Sequence, residues 1–171
     1  LKSIKNKNIP HCLIEDIIKL KSQEWKYSLN LQKKWVKKNV QPNDIHNMLF
    51  LNNKLIGYTL LRKRILILTN KTKKNKKYFY FDTLVLDKKY RGGKIGNKTF
   101  GEIIMSFNNK IIKKHKYISI LHCYKYMVKF YKKFDWVLEN SHKIYTHKKK
   151  LNIMIFNPQK LIFSKIFFNL N

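Results

Sequence analysis

Between Tyr78 and Phe107 the chain reads YFYFDTLVLDKKYRGGKIGNKTFGEIIMSF. Three of the chain's five glycines, Gly92, Gly93 and Gly96, fall within five positions of this stretch, and Arg91 opens the cluster. Lysine supplies positive charge almost everywhere else, so an arginine here points to a need for its planar fork of donors. A strand that hands glycines to a helix N-terminus turns bare amides and the helix dipole toward an anion. The glycines are spaced G-G-x-x-G, which excludes the Walker pattern GxxxxGK[ST] and departs from GxGxxG. Spacing alone leaves two readings equally open: a tight turn using glycine for positive φ, or a phosphate cradle.

The elements around this stretch alternate between helix and strand. Leu13, Ile14, Ile17 and Ile18 form one helical stripe, which predicts a helix over Cys12–Lys21. A second helical region is expected over Trp25–Val40, with Trp25, Leu29 and Trp35 as anchors. The run Gln41-Pro42-Asn43-Asp44 signals a turn. Strands over Ile45–Leu51 and Leu55–Leu68 follow, joined at Asn52-Asn53, a pair able to take positive φ in a hairpin. Asn70–Lys77 reads as a solvated loop before the Tyr78–Leu86 strand. Phe100, Ile103, Ile104, Phe107 and Ile111 mark the buried stripe of a central helix. Tyr117–Cys123 is the next strand, expected parallel to Tyr78–Leu86 across the helical crossover. Met127 to Phe134 suggests a short helix, and Trp136–Leu138 and Leu151–Phe156 close the sheet across a basic connection, Ser141–Lys150.

The 171 residues are most simply one domain over residues 1–157, with an apolar and basic tail over 158–171. That tail is expected to pack on the domain, with a homodimer contact or a membrane-surface patch as alternatives. A hydrophobic content of 44% excludes wholesale disorder. The formal charge of +29 invites a nucleic-acid partner. Against that, the charge is nearly all lysine spread along a chain without alanine, and arginine, the usual reader of guanine edges, is scarce. Cys12 and Cys123 form no CxxC pair, so no metal site is signalled and reduced thiols are expected. No run of about eighteen apolar residues and no secretory signal is visible, so a cytoplasmic protein is expected. The chain begins at Leu1 without methionine, which leaves open what precedes it.

Leu84–Gly96, LVLDKKYRGGKIG, resembles the acyl-CoA-binding motif of the GNAT superfamily of N-acetyltransferases, an apolar strand and then [RQ]-x-x-G-x-[GA] leading into a helix. Arg91 and Gly96 match its ends, whereas Lys94 stands where glycine is usual. Phe130–Trp136, FYKKFDW, is similar to the family's FYxKxGF segment, with Asp135 in place of glycine. The resemblance covers Ile56 to Trp136. It implies an α/β fold with a mixed central sheet of about six to seven strands flanked by helices.

The same resemblance implies a transferase that moves acetyl from acetyl-CoA directly to a primary amine. The backbone of Leu84, Val85 and Leu86 would pair with the pantetheine arm and polarise the thioester. Amides of Arg91, Gly92, Gly93, Lys94, Ile95, Gly96 and Asn97 would hold the pyrophosphate, with the Lys94 ammonium adding charge. Tyr131 matches the tyrosine that protonates the departing thiolate, although plain helix packing is its alternative duty. Asp82, two residues before Leu84, is the candidate base, with a structural ion pair as its alternative and His122 as second choice. The early helices would flank the acceptor, with Trp25 and Trp35 either lining its pocket or packing the core. His46, from its strand, is a further acceptor-site candidate, with a structural or surface role as its alternative. The family's asparagine seven residues before the tyrosine is replaced by Tyr124. A small metabolite or amino sugar is the preferred acceptor. A protein amine, or a non-catalytic module binding nucleic acid or an acidic partner, are the alternatives.

Overall fold

The computed structural model describes residues 1–69, 73–139, 144–145, 151–157 and 165–168. In chain order these form β1 (Lys2–Lys5), α1 (His11–Ser22), α2 (Leu29–Asn39), β2 (Ile45–Leu51), β3 (Lys54–Thr69) and β4 (Lys73–Leu86). There follow β5 (Lys94–Ile95), β6 (Lys98–Thr99), α3 (Phe100–Lys114), β7 (Ile118–Cys123) and α4 (Val128–Lys132). The last elements are β8 (Trp136–Leu138), β9 (Ile144–Tyr145), β10 (Asn152–Phe156) and β11 (Lys165–Phe168). Main-chain pairing runs β1-β2-β3-β4-β7-β10-β8, with β11 on β3 and β9 on β11. The parallel pair β4–β7 makes the sheet mixed, as the strand–helix–strand pattern predicts. The chain divides into two compact units, Leu1–Arg62 with Asp82–Lys110 and Lys63–Phe81 with Ile111–Asn171. No helix among the described residues is long and apolar enough to cross a membrane.

Several boundaries differ from those expected. The second helix starts at Leu29 because Ser28 caps it, its hydroxyl accepting from the Leu31 amide at 3.3 Å. β4 begins at Lys73, so the expected loop Asn70–Lys77 is mostly strand. A run of lysines hides a strand from apolar patterning, although backbone pairing does not require apolar side chains. Residues 70–72 lie outside the described residues, as do 140–143 and 146–150 of the basic connection and 158–164 and 169–171 of the tail.

In the first unit, α1 buries Ile17, Ile18 and Leu20. Ile17 and Leu20 join Met48, Tyr58, Leu60 and Val85 in one cluster, with Trp25 and Trp35 packed against it. A second cluster holds Leu49, Ile56, Phe100 and Ile104, with Leu84 and Leu86 half-buried on it. Strand alternation thus sends Val85 one way and its two neighbours the other. Of the expected α3 stripe Phe100 and Ile104 are buried, whereas Ile103, Phe107 and Ile111 are only half-buried and Met105, Asn108 and Ile112 are enclosed instead. Asn108 turns its face inward because polar partners wait there. Its Oδ1 accepts from Asn47 Nδ2 at 3.0 Å and from Thr59 Oγ1 at 2.9 Å.

In the second unit Leu66, Tyr78, Tyr80, Ile118, Ile120 and Ile155 form the core. Trp136, 1% exposed, stacks on Phe156 at 5.4 Å between ring centroids.

The Asn52-Asn53 hairpin forms as the sequence predicts, with φ of 47° and 59°. Gly57 is required on β3 for a different reason. A Cβ there would lie 2.9 Å from Leu86 Cδ2 and 3.2 Å from both Ile104 Cδ1 and Leu49 Cβ. Gly57→Ala should therefore cost about 1–3 kcal/mol through overpacking. A urea midpoint that does not fall would show that the neighbours yield freely at this point.

Candidate functional site

The glycine turn grows out of the end of β4. The Asp87 amide donates to the Ile56 carbonyl at 2.8 Å, and the Asp87 carboxylate accepts from Lys54 Nζ at 2.9 Å and the Lys89 amide at 3.0 Å. A 3₁₀ turn over Lys88–Tyr90 leads to Arg91. Gly92 and Gly96 take φ of 78° and 58°, and an added Cβ would meet nothing within 4 Å at either. Gly93 serves packing instead, since a Cβ there would lie 2.9 Å from the Phe100 ring.

The glycines do not open directly into the helix. β5 and β6 make a small hairpin around Gly96-Asn97, and α3 begins only at Phe100. Its start is a capping box: the Glu102 amide donates to Thr99 Oγ1 at 3.2 Å and Glu102 Oε2 accepts from the Thr99 amide at 2.8 Å. The amides of Arg91 and Gly93 donate to the Lys88 and Tyr90 carbonyls. The Arg91 guanidinium donates to Glu24 Oε2 at 2.5 Å and to the Leu86 carbonyl at 3.3 Å. Its fork is thus met by a carboxylate of this chain. Lys88, Lys89, Arg91, Lys94 and Lys98 are all exposed along the turn.

Asp82 sits on β4 ahead of Leu84, 17% exposed at its side chain. Its Oδ2 lies 3.4 Å from Arg62 Nη1, an ion pair within this chain. The Arg62 guanidinium lies 5.6 Å from the centroid of the Trp35 ring. Lys21, at the end of α1, reaches the same ring at 4.5 Å and that of Trp25 at 5.7 Å. Burial holds the Lys21 ammonium below the usual lysine range, the Arg62 charge acts the same way, and the Asp82 charge opposes both. His46 is enclosed at 1% exposure, bonded to the Tyr58 hydroxyl at 2.9 Å and to Asn6 Oδ1 at 3.0 Å. It is a structural histidine.

Sequence reasoning missed Lys21, Arg62 and Asp87. Lys21 continues the α1 stripe of Ile14, Ile17 and Ile18, a position where a lysine is out of place. The rarity that drew attention to Arg91 applies equally to Arg62 and Arg64 on β3.

Tyr131 belongs to the second unit, on α4, at 7% exposure. Its ring meets Phe81 edge-on at 6.2 Å and lies 6.1 Å from Trp136. Burial pushes its phenol well above the ordinary tyrosine value, with Cys123 and Tyr126 adding to the shift. Such a phenol is a proton donor rather than a base near neutral pH. Asp135, standing where the resemblance places glycine, has φ of 63°, which aspartate tolerates better than most residues. His122 Nδ1 lies 3.2 Å from the Tyr80 hydroxyl. Tyr124 and Tyr126 are exposed and stack on each other at 5.7 Å. Cys12 and Cys123 are free thiols. Among the described residues no group of three or more His, Cys, Asp or Glu is placed to hold a metal ion.

No protein-family model and no curated protein matches the sequence. Solved structures match the fold. ElaA of Escherichia coli superposes with a TM-score of 0.64 at 11% identity, covering 90% of this chain and 96% of that one. An aminoglycoside 6′-N-acetyltransferase in complex with coenzyme A gives 0.63 at 10% identity, covering 91% and 94%. The PaiA N-acetyltransferase of Thermoplasma acidophilum, also with coenzyme A, gives 0.53 at 17% identity, covering 91% and 98%. The chain therefore has the GNAT fold.

The enclosed His46 makes a checkable statement about this region. Burial first, then the Lys21 charge, lowers its pKa from 6.5 to about 4. The unfolded chain binds this proton before the folded one does, so stability is full above about 6.5 and falls as pH drops toward 4. The loss is on the order of 3 kcal/mol. His46→Gln, which does not titrate, should flatten the melting-temperature profile across that window; an unchanged slope would assign the acid sensitivity elsewhere.

Proposed function

We propose that the chain is an acetyl-CoA-dependent N-acetyltransferase acting on the primary amine of a small molecule. The observation that carries this reading is the open, cationic glycine turn between β4 and α3 within a GNAT fold. Coenzyme A suits that turn. Its pyrophosphate would meet the Lys94 and Lys98 ammonium groups and the amides of Gly92, Gly96 and Asn97, those of Arg91 and Gly93 being already bonded. The pantetheine arm would lie along Leu84, Val85 and Leu86 as an added strand, and the amides there would polarise the thioester carbonyl.

The transfer needs a neutral amine, a C–N bond formed as the C–S bond breaks, and a proton for the leaving thiolate. Asp82 is the proposed base, acting directly or through water. Its pairing with Arg62 fixes its direction. Tyr131 is the proposed acid, since burial keeps its proton in place until a thiolate forms. The overall positive field favours an anionic donor and disfavours polycationic acceptors.

Tyr131→Phe should lower kcat for acetyl transfer by roughly 10²- to 10⁴-fold while leaving acetyl-CoA affinity nearly unchanged. Wild-type kcat retained in the mutant would reduce Tyr131 to packing. No transfer by the wild type to any member of a broad amine panel would favour the non-catalytic module.

A further inference from the structure

The Lys21 neighbourhood points to the kind of acceptor. Lys19, Lys33 and Lys54 each lie within 4.0 Å of a carboxylate. Among the described residues Lys21 has no such partner: it is half-buried at the end of α1 against Trp25 and Trp35. Asp82 already bonds Arg62, so the trio Lys21, Arg62 and Asp82 carries one net positive charge in a partly desolvated setting. An unneutralised charge held there is costly, and cation–π contact recovers only part of the lost hydration. The same helix pair encloses Gln32 at 6% exposure. Its Nε2 donates to Ser22 Oγ at 3.0 Å, whereas its Oε1 has no donor. One end of the region thus lacks an anion, and a nearby oxygen lacks a donor.

We propose that the acceptor is an aminocarboxylate whose carboxylate pairs with Lys21 between Trp25 and Trp35, leaving its amine toward Asp82. This rests on the transferase reading, since it names the acceptor of that reaction. The carboxylate neutralises the surplus charge of the trio. The Trp25 and Trp35 rings over which Lys21 lies would give the carbon skeleton apolar contact. A free amino acid or a related small aminocarboxylate fits this chemistry, whereas a polyamine would add positive charge to it.

The test is calorimetric binding of matched probes to the full chain: phenylalanine against phenylalaninol, and 4-aminobutanoate against 4-aminobutanol. The carboxylate member of each pair should bind about 10- to 100-fold more tightly, the worth of one charge-assisted contact. Lys21→Met should remove the preference and Lys21→Arg should keep most of it, with thermal unfolding showing that both variants are folded. In turnover assays Lys21→Met should raise KM for the aminocarboxylate with little change in kcat. No preference in the wild type, or a preference that survives Lys21→Met, overturns the proposal. Acetyl-CoA titrated in parallel separates the failures. Donor binding without carboxylate preference rejects only the acceptor; carboxylate preference without donor binding rejects the transferase and leaves the aminocarboxylate site standing.

Discussion

Nine carboxylates stand against 38 lysines and arginines, so the placement of each acid decides which basic segment is held and which is left to solvent. Asp87, 5% exposed, ties Lys54 at the start of β3 to the end of β4 and caps the turn that follows. Glu24 holds Arg91, and Glu102 closes the capping box of α3. Asp44, fully buried, accepts from the Gln41 amide at 2.8 Å and anchors the turn before β2. Asp87, Glu24 and Glu102 bracket the glycine turn and the end of the strand before it. The exposed pairs Glu15–Lys33 and Asp16–Lys19 contribute little by comparison.

This scarcity also explains the electrostatic character of the proposed site. Cations left without acids line the glycine turn and extend a field that draws anions from solution. Salt weakens that steering beyond about 8–10 Å. Around Asp82 the balance is local: the acid pairs with Arg62, which lies over Trp35, and Lys21 lies over Trp25 and Trp35. In the proposed reading the diffuse field would recruit a donor rich in phosphate, while the single surplus charge near the acid would select among small acceptors.

Local signals in the chain were legible where the cause is local. Asn52-Asn53 gave the hairpin because its φ requirement is set by two residues. The order of strand, glycine turn and helix was legible for the same reason. The hairpin inserted at Lys94–Thr99 was not, because the glycines suit a helix start and a second tight turn equally well. The buried face of α3 was legible only in part, at Phe100 and Ile104, because Asn108 reads as a surface residue until Asn47 and Thr59 are known to face it. Lys21 escaped notice in the same way. Its burial depends on Trp25 and Trp35, and sequence spacing does not report that Glu24, next to Trp25, is taken by Arg91.

Donor binding at the glycine turn is what the functional reading depends on most. Gly96 has φ of 58° with open space where a side chain would go, so asparagine or aspartate can be placed there without a clash. Calorimetric titration of acetyl-CoA into wild type, Gly96→Asn and Gly96→Asp should show binding that is kept in the asparagine variant and lost in the aspartate one. Failure of the wild type to bind acetyl-CoA, or equal binding by all three, would contradict a pyrophosphate site at this turn.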